Sequence, residues 1–158
     1  MPVLMRTQTD CHFAAIATAC DVTYEKAKDA FWPLPAQDPI DSNPPALYLA
    51  LTRLGKWKKN ITWSDLESQR ATHGKTIILI HPPEHPYLTQ HYVVLHRYVP
   101  GAFSCFWGMP MAPGRDANIP VIVPVEEMKK LYLAGYPNCA FEVTNDTWYD
   151  RLYRRFMQ

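Results

Sequence analysis

Glycine is scarce in this sequence, with 6 glycines against 15 prolines in 158 residues. Few positions therefore reach the left-handed backbone region easily, and the prolines stiffen and interrupt the loops. An excess of charge is absent as well, because the formal net charge is only +1. A nearly neutral chain lacks the basic surface that marks nucleic-acid-binding proteins, so we expect no nucleic-acid partner.

Long apolar runs and paired cysteines are also missing. No run approaches the roughly 20 residues that cross a bilayer, so we expect no membrane association. The four cysteines are scattered, without a CxxC pair. The stretch 17–20 resembles a lipoprotein cleavage site, but Asp10 and His12 interrupt the apolar segment before it. We interpret this segment as a folded helix and not a signal, which predicts free thiols and a cytoplasmic protein.

The composition that remains is that of one globular domain. Apolar residues make up 47% of the chain and aromatic residues 13%, enough to bury a real core. We predict a single domain over 1–158, with a helical half (1–62), a sheet half (63–145) and a C-terminal helix (146–158). Helices first and an antiparallel sheet after them predict the α+β class.

The helical half begins with a helix over 11–20 that is small or apolar on every side, which indicates burial on every side. Asp10 is placed to cap this helix. Thr23 is expected to begin a second helix. Pro44 opens a third, and Gly55 is its C-cap.

The sheet half shows strand and hairpin patterns. A capping box over Ser64–Glu67 predicts a short helix, and Pro100-Gly101 is a hairpin turn. The β-branched and aromatic runs predict five strands. These strands are Thr76–Ile80, His91–Tyr98, Ala102–Trp107, Ile119–Val123 and Ala140–Val143, with helices over 125–134 and 147–156.

Cys11 and His91 are the candidate catalytic pair. Cys11 falls in the first turn of the buried helix, where unpaired amides and the positive end of the helix dipole are expected to lower a thiol pKa. A nucleophilic cysteine also needs a histidine as base and acid. His91 opens a strand directly after a long loop, which predicts a position at the rim of the sheet.

These motifs resemble those of a known family. The stretch Gln8–Ala17, followed by Val22–Glu25, is similar to the cysteine-helix signature of papain-like proteins, among them the bacteriocin leader-processing peptidases and related phage and bacterial domains. The stretch His91–Leu95 resembles their histidine strand, and it follows an apolar strand like Thr76–Ile80. The order of elements agrees over about residues 8–124.

The resemblance implies a papain-like fold, a Cys-His pair, a third polar residue that orients the histidine, and a glutamine that stabilises the oxyanion. Cys11 and His91 match the pair. Gln8 is the candidate for the glutamine. The strand after His91 offers no Asp or Asn, so Asp116 and Asn118 are the candidate orienting residues.

The function implied is a cysteine peptidase or amide hydrolase that acts on a peptide or protein substrate without a metal or organic cofactor. A zinc site among the histidines of 81–96 is disfavoured, because prolines separate them and no CxxC pair is present. The same pair would also serve acyl transfer, as in transglutaminase-like or deamidase chemistry. A third alternative is a catalytically degenerate papain-fold module that binds or inhibits, for example a phage protein that acts on a host protein.

Overall fold

The structure is a computed structural model. It describes residues 2–7, 10–31, 44–70, 75–81, 90–109, 116–132, 139–145, and positions 152, 155 and 156. Gln8 lies outside the described residues, as does most of the C-terminal helix expected over 147–156.

Helices and strands follow one another in the order that the sequence pattern predicts, with one added strand. The helices in the described residues are α1 (Cys11–Cys20), α2 (Tyr24–Ala30), α3 (Pro44–Arg53), α4 (Trp63–Glu67) and α5 (Val125–Leu131). The strands are β1 (Lys56–Asn60), β2 (Lys75–Ile80), β3 (His91–Val99), β4 (Ala102–Phe106), β5 (Val121–Pro124) and β6 (Ala140–Asn145).

The strands form one antiparallel sheet in the order β1-β6-β2-β3-β4-β5. Helices packed on an antiparallel sheet make the domain α+β, so the predicted fold class is confirmed. The added strand β1 belongs to the predicted helical half, yet it pairs with β6 along its whole length. The boundary expected at residue 62 therefore does not separate helices from sheet.

Both faces of the sheet are covered, and each face has its own core. On one face, side chains such as Ile77, Leu79 and Val94 pack against α1, α2 and α3. On the other face, side chains of the same strands, such as Ile78 and Val93, pack with residues of α4, β5 and α5. Side chains of a strand alternate between its two faces, so β2 and β3 contribute to both cores.

The helix α1 is buried from Cys11 to Cys20, as its all-apolar pattern predicts. It ends at Asp21, whose φ of 57° lies in the left-handed region. The expected side-chain cap at its start is wrong. Asp10 is the N-cap residue, but its carboxylate makes no bond to the helix and binds the chain before it instead.

Other helix ends agree with the sequence or differ by a few residues. The Thr23 hydroxyl accepts from the Lys26 amide and caps α2, as predicted. Gly55 follows α3 with a φ of +68°, as expected for its role as a C-cap. The capping box of α4 is made by Thr62 and Asp65, so this helix begins before the predicted Ser64.

Candidate active site

Cys11 is the first residue of α1, and its side chain is only 9% exposed. The helix brings the thiol to β3, where Cys11 and Tyr92 line the same small cavity and the backbone amide of Tyr92 acts to lower the thiol pKa. The amide of His12 also lies within reach of the sulfur. These amides are the local groups that would stabilise a thiolate or an oxyanion at this point.

The expectation that the helix start lowers the thiol pKa is wrong for this conformation. Burial raises the pKa of Cys11 to about 11. The backbone amide of Tyr92 acts in the opposite direction, while the neighbouring carboxylate of Asp10 raises the pKa further. The cost of moving a charge out of water therefore exceeds the stabilisation by the amides, and the thiol is protonated at neutral pH.

His91 is the first residue of β3, at the end of the sheet as predicted, and it is fully buried. Its Nε2 lies 2.6 Å from the carbonyl oxygen of Trp107. A carbonyl oxygen only accepts, so Nε2 must donate, and in the neutral ring the basic lone pair is then on Nδ1. The Trp107 indole stacks on the imidazole, with ring centroids 5.7 Å apart and planes inclined by 22°.

Cys11 and His91 reach the same end of β3 from opposite faces of the sheet, because Cys11 packs in the core that contains α1 and His91 stacks on Trp107 of the other core. The Cys11 thiol contacts the backbone of Tyr92, which is the next residue after His91. Trp107 is their shared neighbour, because it stacks on His91 and also lines a small cavity beside Cys11. Tyr92 packs in the core that contains α1, whereas Trp107 packs in the other core. The site thus lies where the two cores meet at the end of a strand.

Asp10, directly before Cys11, organises the approach to the helix. Its Oδ2 accepts from the amides of Arg6 (3.0 Å) and Thr7 (3.2 Å) and from the Tyr24 hydroxyl (2.5 Å). The Arg6 guanidinium lies 4.2 Å from the centroid of the Tyr24 ring and pairs with Glu25. This buried carboxylate fixes the chain that enters α1, in place of the helix cap predicted from the sequence.

The candidate orienting residues lie at the surface, whereas His91 is fully buried. Asp116 and Asn118 are exposed, and Oδ1 of Asp116 accepts from the amide (2.9 Å) and the side-chain nitrogen (3.0 Å) of Asn118. The group at Nε2 is the main-chain oxygen of Trp107. No residue-type pattern could have revealed it, because every residue carries a carbonyl.

A cavity of about 10 Å³ adjoins the thiol. Its lining includes Cys11, Thr18, Trp107 and Gly108, together with Val3 from the start of the chain. A volume of this size has room for roughly one water molecule, so the cavity is far smaller than a ligand pocket while residues 2–5 are in place.

Two negative findings apply to the described part of the chain. It holds no group of three or more His, Cys, Asp or Glu residues placed to bind a metal ion. None of its helices has the length and apolar character that spanning a bilayer requires.

Comparison with solved structures identifies the fold. The peptidase domain of Streptococcus mutans ComA is similar, with a TM-score of 0.61 and 12% identity, over 90% of this chain and 97% of that domain. The same domain in complex with a small-molecule inhibitor gives a TM-score of 0.61 and 13% identity, over 91% and 98% of the two chains. No family model and no curated protein matches the sequence. The chain therefore has the fold of a papain-like peptidase domain, as the resemblance implied.

Proposed function

We propose that the chain is a cysteine peptidase that cleaves an amide bond of a peptide or protein, with Cys11 as nucleophile and His91 as its base. The observation that carries the proposal is the position of the Cys11 thiol against the Tyr92 amide, one residue from His91, in a chain with a peptidase-domain fold.

The proposed reaction starts from a neutral pair. Because burial raises the pKa of Cys11 to about 11, the thiol keeps its proton until a substrate binds. In the proposed step, substrate binding brings the imidazole of His91 and the thiol together at the end of β3, and Nδ1 of His91 accepts the thiol proton as the sulfur attacks the substrate carbonyl. The proton then passes to the leaving amine, and water releases the acyl group from the sulfur. The amides of Tyr92 and His12 are the proposed donors to the oxyanion.

The Trp107 carbonyl serves as the third group in this proposal. It accepts a hydrogen bond from the Nε2–H group of His91 at 2.6 Å, which fixes the ring orientation and the tautomer. A side-chain carboxylate or carboxamide in this place would do the same work, and the carbonyl does it without a side chain of that type.

The test is cleavage of a mixed peptide library under reducing conditions, with new termini identified by mass spectrometry. We expect cleavage by the wild type and a loss of about 10³-fold or more in Cys11→Ala and in His91→Ala. Cys20→Ala is the matched control, because Cys20 is a buried thiol of the same helix. Equal cleavage by wild type and Cys11→Ala would contradict the proposal.

An added amine nucleophile separates hydrolysis from acyl transfer in the same assay. A peptidase gives mainly free carboxyl termini, whereas a transferase gives amine-capped termini. Both products depend on Cys11, so the Cys11→Ala control applies to either chemistry.

A second candidate is a papain-fold module that binds or inhibits a protein without catalysis. The specific observation in its favour is the buried thiol, whose pKa is raised and not lowered. In that case the wild type leaves the peptide library intact, and expression of the wild type and of Cys11→Ala in a bacterial host changes growth to the same extent. A parallel loss of growth effect and library cleavage in Cys11→Ala would exclude the module.

A further inference from the structure

The segment Pro2–Met5 lies across the candidate site like an extended peptide. Val3 and Met5 face inward and pack against the core that contains α1, while Leu4 between them is 37% exposed. This alternation is that of an extended chain. Val3 also lines the cavity beside Cys11, so the segment fills space next to the thiol.

The main chain of the segment is held at alternate residues. The Val3 amide donates to the Thr18 hydroxyl on α1 at 2.8 Å, and this hydroxyl lies 3.5 Å from the Val3 carbonyl. The Met5 amide donates to the carbonyl of Gly108 at 2.8 Å. One side of the groove is thus α1, and the other is the turn that follows β4.

Gly108 lies where the turn, α1 and the segment come together. Its φ of +73° suits glycine, and a Cβ there would be in ordinary van der Waals contact, 3.6 Å from both the Ala14 and Met5 side chains. The turn therefore neighbours both α1 and the segment.

We propose that the groove between α1 and the turn after β4 is a binding site for an extended apolar peptide, and that residues 2–5 are its internal occupant. Release of the segment opens the cavity to solvent and frees Thr18 and Gly108 for the main chain of another peptide. The idea that residues 2–5 regulate catalysis rests on the proposed function. The idea that they limit access to the Cys11 thiol does not.

The test is the rate at which iodoacetamide alkylates Cys11, measured by mass spectrometry. Thr18→Val keeps the shape of the side chain and removes both contacts with Val3, so we expect Cys11 to react about tenfold faster than in the wild type. Thr18→Ser retains the hydroxyl and restores slow alkylation. Cys20 and Cys105 are internal controls, because both are buried and neither lines the cavity beside Cys11, so we expect both to stay unreacted in a folded protein.

A second variant covers the case in which Thr18→Val does not fold. Val3→Asp places a charge in the cavity and expels the segment, with the same expected rise at Cys11. The proposal that residues 2–5 cover Cys11 is overturned if Cys11 is alkylated at the wild-type rate in every variant that folds. It is also overturned if the alkylation rates of Cys11, Cys20 and Cys105 rise together.

A competing peptide tests whether the groove binds an extended chain. Acetyl-Pro-Val-Leu-Met-amide, which has the sequence of the segment, is added to the Val3→Asp protein before alkylation. We expect saturable protection of Cys11 by this peptide and none by the peptide with Asp in place of Val. Absence of protection by the copied peptide would overturn the assignment of the groove as a peptide site.

The alkylation assay is repeated in a His91→Ala background. Release of the segment exposes Cys11 there as well, so a positive result is independent of catalysis. If the variants expose Cys11 but the wild type does not cleave the library, the peptidase proposal alone is refuted. If the wild type cleaves the library but the variants do not expose Cys11, the proposed role of residues 2–5 alone is refuted.

Discussion

The Nε2 atom of the buried His91 ring is held by a peptide oxygen, that of Trp107. The position of His91 at the start of a strand could be predicted, since a strand that follows a long loop begins at the rim of the sheet. The group behind the ring could not be predicted, and the candidates from residue type were Asp116 and Asn118. These two are exposed and bound to each other. Backbone acceptors depend on the course of the chain, which residue types do not reveal.

The tautomer of His91 follows from this contact. We expect nitrogen-15 NMR of the neutral ring to show Nε2 protonated and Nδ1 bearing the lone pair, because only a donor can bind the Trp107 carbonyl. His96, exposed beside Phe106, supplies a reference ring in the same spectrum. A proton on Nδ1 and none on Nε2 would contradict the proposed arrangement.

The buried thiols make stability depend on pH in the alkaline range. Burial raises the pKa of Cys11 to about 11 and that of Cys105 to about 12, from an ordinary 9.0. Above pH 9 the unfolded chain loses these protons and the folded chain keeps them. The free energy of unfolding therefore falls as pH rises, by up to about 1.4 kcal/mol per pH unit for each such thiol.

Urea denaturation at pH 8, 9 and 10 measures this slope. Cys105→Ala removes one buried titrating group, so its free energy of unfolding should fall less steeply with pH, although its stability at pH 8 is lower. Equal slopes in wild type and variant would show that Cys105 does not contribute to the pH dependence.

Among the elements, those with a strong pattern were predicted well. The apolar helix α1 and the hairpin of β3 and β4 agree closely with the sequence, because burial on all sides and a Pro-Gly turn leave little choice. Strand β1 was missed. Its sequence over Lys56–Asn60 carries three lysines, which is typical of an edge strand protected by charge and not of a buried one.

The hairpin turn depends on a residue outside it. The Gln69 side-chain nitrogen donates to the carbonyls of Val99 (2.7 Å) and Ala102 (2.9 Å), on either side of the turn. We expect Gln69→Ala to lower the free energy of unfolding by about 1–2 kcal/mol, since both acceptors lose their donor.

Gln69→Glu is the sharper variant for the same measurement. Its carboxylate has the size of the amide but cannot donate, so a loss at least as large as that of Gln69→Ala is expected in thermal or urea unfolding. Stability equal to the wild type would show that the two hydrogen bonds contribute nothing.

The whole molecule is organised by a sheet that is buried on both faces. The α+β class could be predicted, because the order of helices and strands is visible in the sequence. The division into halves could not, because long-range pairing of β1 with β6 brings a segment of the helical half into the sheet. The candidate site needs both cores, since Cys11 belongs to one and Trp107 to the other.

The two cores should unfold together. Phe31→Ala empties the core that contains α1, and Phe103→Ala empties the other, and each should cost about 3–5 kcal/mol. Because β2 and β3 form the wall between them, near-ultraviolet and far-ultraviolet circular dichroism should report one shared transition in both variants. Separate transitions in either variant would indicate that the cores are independent units.

The backbone contact at His91 has a consequence for the history of position 107. An acceptor that belongs to the peptide unit persists through any exchange of side chain there, provided that the chain follows the same path. Selection for a particular polar side chain is thereby relaxed at this position, and the large indole of Trp107 can be kept for its packing. Homologous chains would tolerate varied residue types at this point while conserving the turn that aims the oxygen.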